Sequence, residues 1–129
     1  MKKIDILIIG AGPVGLFTVF EAGLLGLKCI LIDNLDKPGG QCAELYPEKP
    51  IYDIPGVPHQ TAQEHVDALI EQIKPFDYDL YLNERVDSIK EVTYENENFW
   101  EVITTEDNKF ISKNIFIAAG AGSFEPRRP

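Results

Sequence analysis

The sequence predicts an α/β domain with three layers: a mainly parallel sheet, helices that cross over between its strands, and an antiparallel β-meander. Three observations support this fold class. A strand, a glycine-rich turn, a helix and a second strand follow one another between Ile4 and Asp33. A second amphipathic helix is predicted after a long loop, and alternating segments separated by polar turns come next. Strands that alternate with helices are typical of parallel sheets.

The first strand, Ile4 to Ile9, is apolar throughout except for one aspartate and leads into a turn with the sequence GAGPVG. At each of the three glycine positions of this turn, there is a physical reason for the absence of a side chain. Gly10 permits a tight reversal, Gly12 leaves room for the backbone to approach a ligand, and Gly15 lets the following helix pack close to the strand. Pro13 suits the first position of that helix.

This helix is predicted from about Pro13 to Leu25, and a second strand, Lys28 to Ile32, leads to Asp33. A carboxylate roughly 20 residues after the first glycine can accept hydrogen bonds from a ribose and would repel a 2'-phosphate. A pyrophosphate would face the amide groups at the positive end of the helix. The pattern therefore predicts a Rossmann-like dinucleotide site for an adenosine without a 2'-phosphate, as in FAD or NAD.

Two other interpretations compete with this one. Glycines with this spacing often shape a turn and do nothing more. The start of the chain, with two lysines followed by an apolar stretch up to Phe20, also has features of a secretory signal. Asp5, the glycine cluster and the lack of a small-residue cleavage site argue against a signal, so we expect a cytoplasmic protein.

The segment from Asn34 to Gln60 is rich in proline and glycine, which predicts a long irregular loop. A loop of this length in a compact domain is usually functional. Thr61 and Glu64 then form a predicted capping box, and the helix that they begin ends before Pro75. The apolar stripe of this helix consists of Val66, Leu69, Ile70 and Ile73.

A short strand is predicted at Asp79 to Leu82, followed by a meander that we expect to pack on the sheet face opposite the helices. The meander strands are predicted at Arg85 to Tyr94, Phe99 to Thr105 and Lys109 to Ser112. A separate apolar strand, Ile115 to Ala119, then completes the parallel sheet and runs into a glycine turn.

The composition limits the classes of function. A chain of 129 residues fits one domain, and the net charge of -9 makes nucleic acid an unlikely partner. No apolar run is long enough to predict a membrane span. Cys29 and Cys42 have no spacing typical of zinc or a disulfide framework, and Cys29 is predicted to be a buried small residue. His59 and His65 do not indicate a metal site.

Beyond these patterns, the whole chain resembles the FAD domain of the two-dinucleotide-binding flavoprotein oxidoreductases. Within that group, the stretch GGQCAELYPEKPIYDIPG from Gly39 to Gly56 is similar to the thioredoxin-reductase-like (type 2) ferredoxin:NADP+ oxidoreductases. Thioredoxin reductases proper share the GGQ, but a different sequence is expected before their Pro-Gly pair. The resemblance covers nearly all of the chain.

The resemblance implies that FAD is the cofactor, with its pyrophosphate on the glycine turn and its adenosine ribose on Asp33. It further implies that Gln41 and Tyr46 lie against the flavin and that the backbone of Val86 meets the adenine ring. From the residues alone, these three would be interpreted as loop or core positions. The turn that closes over the cofactor is implied to contain Gly120 and Phe124.

The resemblance implies an enzyme that transfers electrons between NADP(H) and ferredoxin, with hydride exchange at the flavin followed by single-electron steps. No side chain of this chain is predicted to act as an acid, base or nucleophile. Glutathione-reductase-like enzymes place a second redox cysteine five residues after the first, but Pro47 occupies that position after Cys42. The sequence therefore excludes a dithiol in this segment.

Two alternatives remain open: a thioredoxin-like disulfide reductase whose C-x-x-C lies outside this chain, and a non-catalytic module that binds FAD or NAD. The acidic charge gives no steering toward an acidic ferredoxin, so a basic docking patch would have to come from local clusters such as Arg127 and Arg128 or from residues outside this chain. Members of the family continue into an NADPH domain near Pro129 and then return to complete the FAD site. We therefore expect residues 1–129 to be the N-terminal portion of an FAD domain, inactive alone and homodimeric when full length.

Overall fold

A computed structural model describes residues 3–40, 47–52 and 54–118. These residues form a six-stranded sheet with the strand order β5-β2-β1-β8-β7-β6, a two-stranded sheet formed by β3 and β4, and two helices. The helices are α1 (Pro13–Leu24) and α2 (Ala62–Ile73). The strands are β1 (Lys3–Ile9), β2 (Cys29–Ile32), β3 (Pro50–Ile51), β4 (Gln60–Thr61), β5 (Tyr78–Tyr81), β6 (Val86–Tyr94), β7 (Glu97–Thr104) and β8 (Lys109–Ile117).

Strand β1 lies at the centre of the parallel part of the sheet, between β2 and β8. Its alternate side chains enter two separate cores. Ile6 and Ile8 pack with the buried faces of α1 and α2, whereas Leu7 and Ile9 pack on the other side of the sheet. Burial on both faces explains why β1 and β2 are nearly continuous apolar runs instead of alternating segments.

The opposite face of the sheet is covered by residues of the meander. Val102 and Phe110 belong to the same core cluster as Leu7 and Ile30, and the ring of Phe110 lies 5.0 Å from that of Tyr81, centroid to centroid. Helices therefore cover one face and meander residues cover the other. This arrangement confirms the predicted three-layer α/β class.

The predicted break before the last strand is wrong. Lys109 to Ser112 and the segment that begins at Ile115 form one continuous strand, β8. Its first part pairs antiparallel with β7, and from Ile111 onward it also runs parallel to β1. The polar residues Lys113 and Asn114 lie between the two predicted segments, but their side chains are exposed and the strand continues through them. The meander is thus hydrogen-bonded to the parallel sheet through β8.

An apolar surface remains exposed beside the first helix. The exposed side chains are Val14, Phe17 and Leu24 of α1, Leu25 directly after it, and Phe116 of β8. Within the described ranges, β7 pairs with β8 only up to Ser112, so the following residues of β8 pair with β1 alone. Neither of the two described helices has the length and hydrophobicity needed to cross a membrane.

The predicted capping box at the start of α2 is confirmed. The Glu64 N–H donates to Thr61 Oγ1 at 3.1 Å, and the Thr61 N–H donates to Glu64 Oε1 at 2.9 Å. These hydrogen bonds satisfy backbone donors that the helix itself leaves without partners. The hydrogen bond from the Thr61 N–H also lowers the pKa of Glu64 below its ordinary value.

Replacing Thr61 with alanine should lower the free energy of unfolding by about 1 kcal/mol, because the Glu64 N–H loses its acceptor. Urea unfolding near neutral pH measures this change. Thr93→Ala provides an exposed control in which a hydroxyl bonded to Asn98, but not to a helix start, is removed.

The lowered pKa of Glu64 predicts how this cap depends on pH. Because the folded-state pKa lies below the unfolded value, the stabilisation is complete above that value and disappears as the pH falls through the folded-state pKa. Glu64→Gln keeps an oxygen acceptor but does not titrate. The stability advantage of the wild type over E64Q should therefore shrink between neutral pH and about pH 3; a constant advantage would contradict this assignment.

Candidate dinucleotide-binding site

The turn between β1 and α1 depends on the conformation of Gly10. Its φ angle is 111°, a region that favours glycine over residues with a side chain. The Gly10 N–H donates to the Ile32 carbonyl at 2.8 Å and so joins the turn to the end of β2. The chain then reaches the first position of α1 at Pro13, as the sequence predicted.

Gly12 and Gly15 have different surroundings, although both belong to the same motif. A Cβ atom on Gly15 would overlap the carbonyl oxygen of Gly10 and lie 3.4 Å from Ile8 Cγ2, so the fold itself requires glycine there. A Cβ atom on Gly12 would meet only the backbone of Gly40, at an ordinary contact distance of 3.6 Å. Among the described residues, packing does not require glycine at Gly12, and room for a ligand stays the predicted reason for it.

The N-terminus of α1 is open to an anion. Gly12 is the N-cap residue and has extended backbone angles, but no side chain in the described ranges caps the helix, and its first turn contains no acidic residue. The N–H groups at a helix start need acceptors and lie at the positive end of the helix dipole. These features fit a diphosphate group at this position.

Asp33 is buried at the end of β2, with 1% of its surface exposed. Its Oδ2 accepts a hydrogen bond from the Ala11 N–H at 2.7 Å, and its Oδ1 accepts one from the Leu35 N–H at 3.0 Å. A carboxylate oxygen can accept more than one hydrogen bond, so these contacts leave capacity for a ribose hydroxyl. The ribose contact stays a prediction, and the backbone contacts are a feature that the motif alone did not reveal.

The segment after Asp33 returns to the glycine turn. The Gly39 N–H donates to the Ala11 carbonyl at 2.8 Å, and Gly40 lies directly against the backbone of Gly12. The first two residues of the GGQ sequence therefore form part of the turn's surroundings. The predicted flavin contacts Gln41 and Tyr46 follow immediately but lie outside the described residues.

Val86, the predicted adenine contact, begins the strand that follows a backbone hydrogen bond to Asp33. Val86 is the partly buried first residue of β6 and packs against the core under the meander. Two residues earlier, the Glu84 N–H donates to the Asp33 carbonyl at 3.0 Å, which places the approach to β6 beside the end of β2. The predicted contacts at Gly120 and Phe124 lie outside the described part of the chain.

Sequence reasoning missed Asn34. Its Oδ1 atom is buried and has no hydrogen-bond partner among the described residues, although buried acceptors are normally paired. The side chain directly follows Asp33 in the sequence. No residue pattern marks this position apart from its place after the acidic residue of the motif.

Cys29 is a buried structural residue, as predicted. None of its surface is exposed, and burial raises the pKa of its thiol to about 11, with smaller contributions from the negative charges of Asp5 and Asp77. A thiol with this pKa carries almost no thiolate near neutral pH and is therefore a poor nucleophile.

Comparison with known proteins confirms the predicted resemblance. A ferredoxin–NADP reductase of Pelagibacter ubique is 56% identical over 128 residues, which make up 99% of this chain and 37% of that protein. A protein with the same name from Mesorhizobium japonicum is 58% identical over 125 residues, or 97% of this chain and 36% of that protein. This chain therefore spans about a third of the length of these relatives. No protein-family model matches the sequence.

Among solved structures, a thioredoxin reductase from Streptococcus pyogenes superposes with a TM-score of 0.76 and 27% identity. The match covers 92% of this chain and 35% of that one. The fold is thus similar to that of thioredoxin reductases, whereas the sequence is more similar to proteins named ferredoxin–NADP reductase.

The two glycines should respond differently to substitution. Gly15→Ala should lower the free energy of unfolding by about 1–3 kcal/mol, because the new methyl group overlaps backbone that must shift. Gly12→Ser should keep the stability or raise it by roughly a few tenths of a kcal/mol, because serine is a slightly better N-cap than glycine. Chemical unfolding of both variants measures the contrast, and equal losses in the two would contradict it.

Proposed function

We propose that this chain binds the adenosine diphosphate half of FAD and belongs to an oxidoreductase that transfers electrons between NADP(H) and ferredoxin. The observation that carries the proposal is the start of α1 at Gly12, where no described side chain caps the helix and the packing of the described residues does not require glycine. The names of the relatives support the choice of reaction.

The residues of the glycine turn would hold the diphosphate through backbone N–H groups, and Asp33 would accept a hydrogen bond from the ribose. Val86 would meet the adenine ring, and Gln41 and Tyr46 would lie against the flavin. Gly120 and Phe124 would close over the cofactor. When bound, FAD supplies the chemistry, because a flavin exchanges electrons both in pairs and singly. The protein binds and orients the cofactor, and we assign no acid, base or nucleophile to this chain.

A thioredoxin-like disulfide reductase is the second candidate, because the fold superposes on a thioredoxin reductase. One observation favours ferredoxin as the partner. The identity to relatives named ferredoxin–NADP reductase is 56%, compared with 27% for that structure. The buried thiol of Cys29, with its raised pKa, is unsuited to disulfide exchange, but the C-x-x-C of such a reductase would lie outside this chain.

FAD binding tests the site directly. Gly12→Ser should weaken FAD binding by about tenfold or more, equivalent to at least ~1.4 kcal/mol, because the new hydroxyl competes for the N–H groups that would hold the diphosphate. Fluorescence titration of FAD measures the dissociation constant, and thermal unfolding shows that the variant remains folded. Equal affinity of the wild type and G12S would contradict the proposed position of the diphosphate.

The 129-residue chain alone should bind FAD weakly and should not catalyse NADPH-dependent flavin reduction, because it spans about a third of its relatives. Flavin absorbance after addition of NADPH without oxygen measures this, and bleaching would contradict it. The complete gene product should reduce ferredoxin in preference to thioredoxin. We further propose that it works as a homodimer in the cytoplasm, which light scattering and cell fractionation test.

A further inference from the structure

We propose that Asp33 is a positioning residue whose carboxylate holds the glycine turn in the shape that receives a diphosphate. This role is separate from any contact that Asp33 makes with a ribose. The inference rests on the proposed function, since it concerns the same site. It predicts that Asp33 contributes to the binding of nucleotides that have no ribose hydroxyls.

The first step of the argument concerns Ala11, which lies between the first two glycines of the turn and is completely buried. Its N–H donates to Asp33 Oδ2 at 2.7 Å, and its carbonyl accepts a hydrogen bond from the Gly39 N–H at 2.8 Å. These two groups belong to successive peptide planes. Because each plane is rigid and trans, the two hydrogen bonds together fix the direction of the next donor, the Gly12 N–H.

The second step concerns the anchoring of Asp33 itself. Its Oδ1 accepts the Leu35 N–H at 3.0 Å. Its own N–H donates to the Tyr81 carbonyl, and its carbonyl accepts the Glu84 N–H, both at 3.0 Å. The residue is therefore tied to the end of β5 as well as to β2. A carboxylate held this firmly can restrain the turn without a ligand, and water cannot easily replace it at 1% exposure.

The third step concerns the choice of substitution. Both partners of the carboxylate, the N–H groups of Ala11 and Leu35, are donors. Asparagine has nearly the same shape but offers one oxygen and one NH2 group, so one of the two contacts would place a donor against a donor. The amide can still hydrogen-bond a ribose hydroxyl. Asp33→Asn therefore disturbs the turn more than it disturbs ribose recognition.

The experiment compares ADP with 2',3'-dideoxy-ADP, which lacks both ribose hydroxyls, as ligands of the 129-residue chain. Asp33→Asn should weaken the binding of both nucleotides by the same factor, about tenfold or more, since a buried hydrogen bond to a charged group is lost. Hydrogen exchange of the Ala11 amide should accelerate by about tenfold or more relative to that of Val102 in the meander core. Isothermal titration and NMR measure the two effects.

Glu101→Gln is the matched control. Glu101 is also a buried carboxylate, but it lies in β7 between Lys90 and Lys109, with N–O distances of 3.3 and 3.7 Å. Its substitution should lower overall stability while nucleotide affinity and the relative exchange of the Ala11 amide stay unchanged. A general loss of stability therefore cannot reproduce the result expected for Asp33→Asn.

The inference is overturned if Asp33→Asn weakens the binding of ADP but not of the dideoxy nucleotide, or of neither. If the variant does not fold, the wild type decides: a scalar coupling across the hydrogen bond from the Ala11 nitrogen to the Asp33 carboxyl carbon supports the inference, and its absence overturns it. If the wild type binds neither nucleotide, the proposed function fails, and this coupling still tests the restraint on the turn.

Discussion

The rest of the structure depends on the burial of β1 on both of its faces. Its alternate side chains, such as Ile8 and Ile9, enter different cores, and each fully buried side chain of this type contributes about 1.5–3 kcal/mol. A strand of this kind is stable only if each face of the sheet is covered. The helices provide one cover and the meander the other, and β1 is thereby fixed at the position where the glycine turn begins.

Local patterns predicted most of the elements because each pattern has a direct physical cause. The apolar run before Gly10, the proline at the start of α1 and the capping box at Thr61 all correspond to observed features. The prediction of two strands in place of β8 was wrong, because one strand can pair with β7 first and with β1 further along. The side chains of Lys113 and Asn114 are exposed, and the strand does not end at them. Pairing between distant strands is set by packing, and one sequence does not display it.

The candidate site shows the same limit. The motif correctly indicated that Gly15 allows close packing of the helix on the turn, because this contact is local. It did not indicate that the Asp33 carboxylate bonds the Ala11 N–H, because that contact depends on how two separate strand ends meet. At Gly12, a better N-cap residue would favour the helix but would compete for the N–H groups that we propose bind the diphosphate. Within one motif, packing therefore explains Gly15, whereas the proposed ligand site explains Gly12.

The partly unpaired edge of β8 has a consequence for how this chain behaves in concentrated solution. Beyond Ser112, β8 has no pairing with β7 among the described strands, and the exposed ring of Phe116 lies on the same stretch. Open edges with apolar side chains are templates along which other chains can add. Lysine is a residue that natural sheets use to discourage such growth, and Lys113 places its charge on this stretch of the edge.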